Sequence, residues 1–270
     1  MSVQTELDRI ITSVGAAYDA VEAKGGTAPA AQTIEGLAGA ISGIKSAPTT
    51  PYMEAEYIAA EDGSGNANHY IKRAKLYNHT AIYMYEFAGQ DQLQNLDFSD
   101  ASNNITAIEP EAFYLAQVNG LVLPNTISVL GTACFTSAYI ATLTVPPLVT
   151  VLPIEAFSRI RPAYNNETEE ELPINIILPQ NLTKIEDSCF EGSQIQQINI
   201  PDTVTEIGER AFFNCIFLAS ITCLAATPPA LGSSAFSDTA GFTIKVPAAS
   251  VAAYKAADGW KDYANYIVAM

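Results

Sequence analysis

The 270-residue chain is short of the side chains that most often do chemistry or grip charged polymers. It holds two histidines, one tryptophan, four cysteines and 13 Lys+Arg, against 29 Asp+Glu, for a formal charge of −16. That balance excludes a nucleic-acid partner, because a phosphate-tracking surface needs clustered Lys and Arg. It disfavours an anionic membrane face for the same reason. No apolar run reaches the roughly 18 residues of a membrane-spanning helix. The opening MSVQTELDRI carries acids where a secretory signal has a basic start and an apolar stretch. These shortages predict a soluble chain with no membrane insertion and no Sec-type address.

Catalytic motifs are equally scarce. His69 and His79 stand ten residues apart, each after an asparagine, and fit neither HExxH nor a metal-spaced pair. A structural or surface role is expected for both, with a hydrolase or metal-dependent enzyme built on the His69–His79 region as the rival. The run Asp62-Gly-Ser64-Gly-Asn66-Ala-Asn68 resembles the first half of a calcium loop. Ala67 replaces the sixth-position glycine, however, and Arg73 stands where the bidentate Glu belongs. A turn-rich loop is the reading taken. Phosphate-loop and dinucleotide fingerprints are absent. The expectation is a protein that is not an enzyme, with no catalytic residues, no metal and no cofactor.

What the chain does have is a period. Phe113, Phe135, Phe157, Phe190, Phe212 and Phe236 each follow Ala or Cys, at spacings of 22, 22, 33, 22 and 24, the 33 being 22 plus an 11-residue insertion. Eight residues before them sit Ile105, Ile127, Val149, Leu182, Val204 and Pro228. Five before sit Ile108, Leu130, Leu152, Ile185, Ile207 and Leu231. Pro124, Pro146, Pro179 and Pro201 each close an alternating run: Leu121-x-Leu123, Leu143-x-Val145, Ile176-x-Leu178 and Ile198-x-Ile200. Period-2 alternation stopped by proline reads as a short strand. A fixed period in the twenties, with interior positions in register, is the signature of a solenoid whose turns bury their apolar residues on each other.

The ends differ from the middle. Phe87-Ala88-Gly89 with Leu93, Leu96 and Phe98 reads as one degenerate turn upstream. Downstream, Phe242-x-Ile244-x-Val246-Pro247 reads as a last strand, Ala248 to Ala257 as a helix, and Gly259 as its stop. Trp260 then reads as cap packing over the open end. At the N-terminus Val3, Leu7, Ile10, Val14, Ala17 and Val21 form an amphipathic stripe broken by Gly25-Gly26 and Pro29. Ile34, Leu37, Ile41 and Ile44 follow before the linker Ala47–Pro51. Two readings compete for this segment: a helical hairpin covering the solenoid end, or a homo-oligomer element through residues 3–21.

The units ILPQNLTKIEDSCFEGSQIQQINIPDTVTEIGERAFFNCIFLASI resemble the BspA-type leucine-rich repeats of bacterial surface and gut-associated proteins. The closing TIKVPAASVAAYKAADGWKDYANYI is similar to the piece that often ends such arrays. The resemblance runs from about Ile105 to Ile267, weakens over 76–104, and does not extend earlier. It implies an α/β horseshoe, a right-handed leucine-rich repeat solenoid of short parallel strands, to which the apolar stripe adds an N-terminal helical segment and the Ala-rich stretch a C-terminal capping helix. It implies binding or adhesion rather than catalysis, and carries no fixed functional residues with it. The insertion Arg161–Pro173, with Glu167, Glu169, Glu170 and Glu171, is not required by that pattern and reads as a solvated acidic loop. The segment AAYDAVEAKGGTAPAAQTIEGLAGAISGI resembles N-terminal pieces of phage and prophage tail proteins of Firmicutes, which would leave a cell by lysis.

Cys134 and Cys189 share the slot of Ala112, Ala156 and Ala211, so they should point into the core. Two turns at about 4.8 Å each separate them by more than a disulfide spans, which predicts free buried thiols. Cys215 and Cys223 lie in one turn without CxxC spacing. The outward strand positions are Val122, Thr144, Ile177 and Asn199, an uncharged ladder and the candidate contact surface. The expected organisation is a helical anchoring segment at 1–46, a linker at 47–51, a β-rich lead-in at 52–88, the solenoid at 89–247 and the cap at 248–270. The expected function is recognition of a protein or glycan on a cell surface, with a ligand-free phage-tail or envelope subunit as the alternative. Location is extracellular or virion-associated if the resemblance holds.

Overall fold

The computed structural model describes residues 50–61, 67–90, 93, 95–118, 120–165, 170–239 and 241–270. The chain divides into two compact units, Met1–Pro51 and Tyr52–Met270. The helical stripe at residues 3–21, the second apolar series and most of the linker lie outside the described residues. So does the calcium-like loop over 62–66.

The second unit opens on an antiparallel hairpin, β1 (Tyr52–Glu61) and β2 (Ala67–Tyr77). Seven turns follow, each built round one phenylalanine. The Phe87 turn carries β3 (Ala81–Ile82) and β4 (Asn95–Asp97). The Phe113 turn carries β5 (Ala107–Ile108) and β6 (Gln117–Val118). The Phe135 turn carries β7 (Val129–Leu130), β8 (Tyr139–Ile140) and β9 (Thr142–Thr144). The Phe157 turn carries β10 (Val151–Leu152), β11 (Arg161–Asn165), β12 (Glu170–Leu172) and β13 (Asn175–Ile177). Then come β14 (Lys184–Ile185) with β15 (Gln197–Ile200), β16 (Glu206–Ile207) with β17 (Ser220–Cys223), and β18 (Ala230–Leu231) with β19 (Thr243–Val246).

Stacking these turns produces three parallel ladders. The first runs β3-β5-β7 and then β10-β14-β16-β18, carrying the aliphatic residue found five positions before each Phe. The second is β6-β8-β11. The third begins at β2-β4, continues as β9-β13, and ends as β15-β17-β19 and a last strand, β20 (Ile267–Ala269). Each two-residue strand is too short to be stable alone, so the stack and not the strand is the unit of stability.

The phenylalanines explain why the turns register. Phe87, Phe113, Phe135, Phe157, Phe190, Phe212 and Phe236 are all fully buried. Their rings form one continuous near-parallel pile, with centroids 5.0 to 5.6 Å apart from Phe87 to Phe236. Such pairs add about 0.5–1.5 kcal/mol each beyond the area they bury. The backbone round each ring is equally regular. The residues two before and two after every Phe have positive φ: Glu111 and Leu115 round Phe113, Ala133 and Ser137 round Phe135, Glu155 and Arg159 round Phe157. Gly89 and Gly192 fill that position after Phe87 and Phe190. The alternation sends every second N–H to the next turn, as in Phe113 N to Cys134 O at 2.8 Å and Leu115 N to Thr136 O at 3.1 Å. A side chain in this region costs about 1–2 kcal/mol, and the inter-turn bonds it permits offset that cost.

The C-terminal end is covered as the composition implied. Ala248–Ser250 forms a 3₁₀ turn, α1 (Val251–Ala256) follows, and Gly259 leaves the helix with φ 77°. Trp260 is fully buried, its indole Nε1 donating to Pro229 O at 2.7 Å. Tyr254 donates to Ala225 O at 2.9 Å, and Tyr263 meets the Phe236 ring edge-on.

The insertion is a hairpin and not a loop. β11 pairs antiparallel with β12, and its first residues, Arg161 and Pro162, pair parallel with Tyr139 and Ile140 of β8. Strand pairing overrides the acidic run, which by charge alone suggests a solvated loop. Arg161 and Pro162 continue an existing ladder, and Ala163 is fully buried. Glu170 and Glu171 are exposed on the far strand, and Glu171 accepts a hydrogen bond from Tyr164 Oη at 3.1 Å. Glu167 and Glu169 lie outside the described residues.

Candidate recognition face

Strand alternation sets the chemistry of the third ladder. Leu96, Leu143, Ile176, Ile198, Ile221, Ile244 and Ile267 point inward and are buried. The residues on either side of each point outward in two rows. Register pairs Thr142 with Asn175 and Thr144 with Ile177, then Gln197 with Ser220 and Thr243, and Asn199 with Thr222 and Lys245. Thr144 and Ile177 thus share one outward row, Asn199 takes the matching outward position in β15, and Val122, 81% exposed, lies in no strand; Ile177 is 45% exposed. From Thr142 and Thr144 to Thr243 and Thr222 neither row bears a charge. Hydroxyls, amides and the aliphatic Ile177 fill them.

The N-terminal end of this face is different. Glu54 pairs in register with Lys75, and Lys75 with Asp97; Glu56 pairs with Arg73, and Arg73 with Asn95. Lys75 Nζ lies 3.9 Å from Asp97, and Lys72 Nζ 3.5 Å from Glu56. Between β4 and β9 the ladder is interrupted, because Leu121–Leu123 forms no strand. Two depressions, of about 50 and 530 Å³, open beside the interruption, a third of about 310 Å³ lies over β1, β2 and β4, and Asn95 lines all three.

His79 is fully engaged by the protein. It is buried, its Nδ1 3.0 Å from Tyr77 O and its Nε2 2.8 Å from Glu86 Oε1. The other Glu86 oxygen accepts from Tyr83 N at 2.8 Å, and His79 N donates to Asn103 Oδ1 at 3.0 Å. With both ring nitrogens and the carboxylate engaged, this group fastens the chain between β2 and the first turn. It leaves no atom for a substrate. His69 lies in β2, and its side chain is outside the described residues. No group of three or more His, Cys, Asp or Glu able to hold a metal occurs among the described residues.

All four cysteines are free and buried. Cys134 and Cys189 occupy the slot before a stacked Phe, and burial pushes both thiols well up from the ordinary value. Burial raises Cys215 to about 11 and Cys223 to about 12. Cys215 also donates to Phe190 O at 3.0 Å. Thiolate chemistry is therefore suppressed throughout this core.

Parallel ladders, a phenylalanine pile and an aliphatic residue at fixed offsets define the unit Tyr52–Met270 as a leucine-rich repeat solenoid. The chain matches the sequence profile of the BspA type leucine rich repeat region in six copies, over residues 68–163 and 170–253. Those residues make up more than half of the chain, and it belongs to that family. No curated protein matches it. Among solved structures it is similar to a leucine rich cell surface protein from Faecalibacterium prausnitzii A2-165, at 21% identity over 62% of this chain and 52% of that one, with a TM-score of 0.44. A leucine-rich repeat protein from Bacteroides ovatus ATCC 8483 is 15% identical over 72% of this chain and 70% of its own, with a TM-score of 0.26. The pneumococcal vaccine antigen PcpA is 16% identical over 60% and 53%, with a TM-score of 0.25. The chain spans about half the length of the first of these. No helix of the described residues is long and apolar enough to cross a membrane.

Proposed function

We propose that this chain is a non-enzymatic recognition or adhesion module, displayed outside the cell, that binds a protein or glycan on a cell surface through the outward rows of the third ladder. Val122, Thr144, Ile177 and Asn199 are the contact residues. One observation carries the reading: a face several strands long bears no charge in a chain whose formal charge is −16. Docking on that face strips water from hydroxyls and amides, which a partner can re-bond, and buries no carboxylate. Hydrogen-bonded strands also hold those side chains at fixed spacing, so little ordering entropy is lost on binding.

The test is flow cytometry of the fluorescently labelled full chain on intact bacterial and epithelial cells. Thr144→Arg with Asn199→Arg, both exposed and structurally mild, should remove saturable binding without shifting the thermal midpoint. Undiminished binding by the double variant would move the contact surface elsewhere.

A further inference from the structure

The interruption between β4 and β9 is the place where the outward face acquires depth. On one side β4 is paired to β2, and on the other β9 is paired to β13. Among the described residues, no backbone hydrogen bond joins Leu121–Leu123 to either strand. The segment that should fill the ladder stands off from it, and two depressions border it, while a third lies over β1, β2 and β4; Asn95 lines all three. The two larger ones, about 310 and 530 Å³, are open at the surface, and Asn95 and Asp97 line both.

We propose that this seam is a saccharide subsite for an uncharged oligosaccharide, bound by Arg73, Asn95 and Asp97, with Glu54 and Lys75 beside them and Val122 as the apolar contact. It rests on the recognition reading above and adds to it a position and a ligand class. The argument is one of charge and hydrogen-bond complementarity. Acids and bases alternate across neighbouring strands, Glu54 beside Lys75 beside Asp97 and Glu56 beside Arg73 beside Asn95. An anion or a cation placed there meets a like charge for nearly every opposite one.

A sugar hydroxyl meets no such conflict, because it donates to a carboxylate while accepting from a guanidinium, ammonium or amide. Vicinal hydroxyls repeat this along a ring. Arg73 is exposed and has no ion-pair partner among the described residues, so its donors are available. Val122, 81% exposed at the rim, offers an aliphatic surface to the C–H face of a sugar. An acidic polysaccharide would be repelled from the surrounding acidic surface as well.

Calorimetric titration of the full chain decides the matter, with cellohexaose and N-acetylglucosamine tetramer as uncharged probes, oligogalacturonate as the acidic probe and an extended peptide library as the alternative class. At least one uncharged oligosaccharide should bind saturably. Asn95→Ala and Arg73→Ala should each weaken it tenfold or more with the thermal midpoint unchanged, and Asn199→Arg should leave it alone. Binding of only oligogalacturonate or only peptides, no binding of either uncharged probe, or affinity indifferent to Asn95→Ala and Arg73→Ala would each overturn the proposal. The two readings fail separately. Cell binding lost in Asn199→Arg but unaffected by Asn95→Ala and Arg73→Ala removes the seam and keeps the mid-ladder face. Saccharide titration at the seam with cell binding indifferent to the mid-ladder arginines does the reverse.

Discussion

Replacing Phe135 by alanine tests whether the phenylalanine pile is one cooperative object or a row of independent buried rings. The ring lies between Phe113 at 5.0 Å and 5° and Phe157 at 5.4 Å and 2°, with no solvent exposure. A buried Phe→Ala change costs about 3–5 kcal/mol through lost transfer energy and the cavity left behind. Two stacked neighbours at about 0.5–1.5 kcal/mol each place Phe135 toward the upper end, near 4–5 kcal/mol. Phe87 is equally buried but has one stacked neighbour, so Phe87→Ala should cost about 1 kcal/mol less. For a domain of this size about 4 kcal/mol lowers the thermal midpoint by roughly 8–16 °C.

Circular dichroism melts of both variants, supported by urea titration, supply the measurement. Folding should survive in each, because the backbone bonds from Phe113 N to Cys134 O and from Phe135 N to Ala156 O remain. A midpoint drop under about 4 °C for Phe135→Ala would refute the packing argument. Equal costs at the two positions would refute the stacking part alone.

Backbone, thiols and one ion pair give further tests. Gly89→Ala should cost about 1 kcal/mol from φ alone, since an added Cβ meets nothing within 4 Å, and Leu115→Gly should recover a similar amount by denaturant titration. Iodoacetamide at pH 8 should leave all four cysteines unmodified in the native chain and label them after unfolding, as mass spectrometry would show. Their raised values mean that stability is fully present below about pH 9, where the unfolded thiols begin to ionise. It erodes as pH climbs toward 11–12, by up to about 1.4 kcal/mol per pH unit for each group. Arg210, hydrogen-bonded through Nε at 3.2 Å and Nη2 at 2.7 Å, holds the Glu191 carboxyl below the usual range. Glu191→Gln should therefore lower the urea midpoint at pH 7, and the difference from wild type should vanish as pH falls through the native carboxyl's lowered value.

Much of this molecule was written in its periodicity. A Phe every 22 residues, with aliphatic residues at fixed offsets before it, dictates both what is buried and what stacks on what, because only translation from turn to turn satisfies all positions at once. The buried slots of Cys134 and Cys189 and the capping role of Trp260 follow from the same register. Other features depended on contacts between residues distant in sequence. His79 finds Glu86 and Asn103 only once the first turn closes on β2. The insertion becomes a hairpin because β8 offers it an unpaired edge, a fact its glutamates conceal.

The left-handed pairs round each phenylalanine are invisible in composition, since Glu, Leu, Ala, Ser and Arg all occupy them. Inter-turn hydrogen bonds, and not side-chain preference, hold them there. The candidate site divides the same way. Alternation read Val122, Thr144, Ile177 and Asn199 as outward positions, of which Thr144, Ile177 and Asn199 lie in strands. The seam at Asn95 arises because Leu121–Leu123 repeats the strand pattern without joining the ladder, and the failure of one strand to pair is decided only by its neighbours in space.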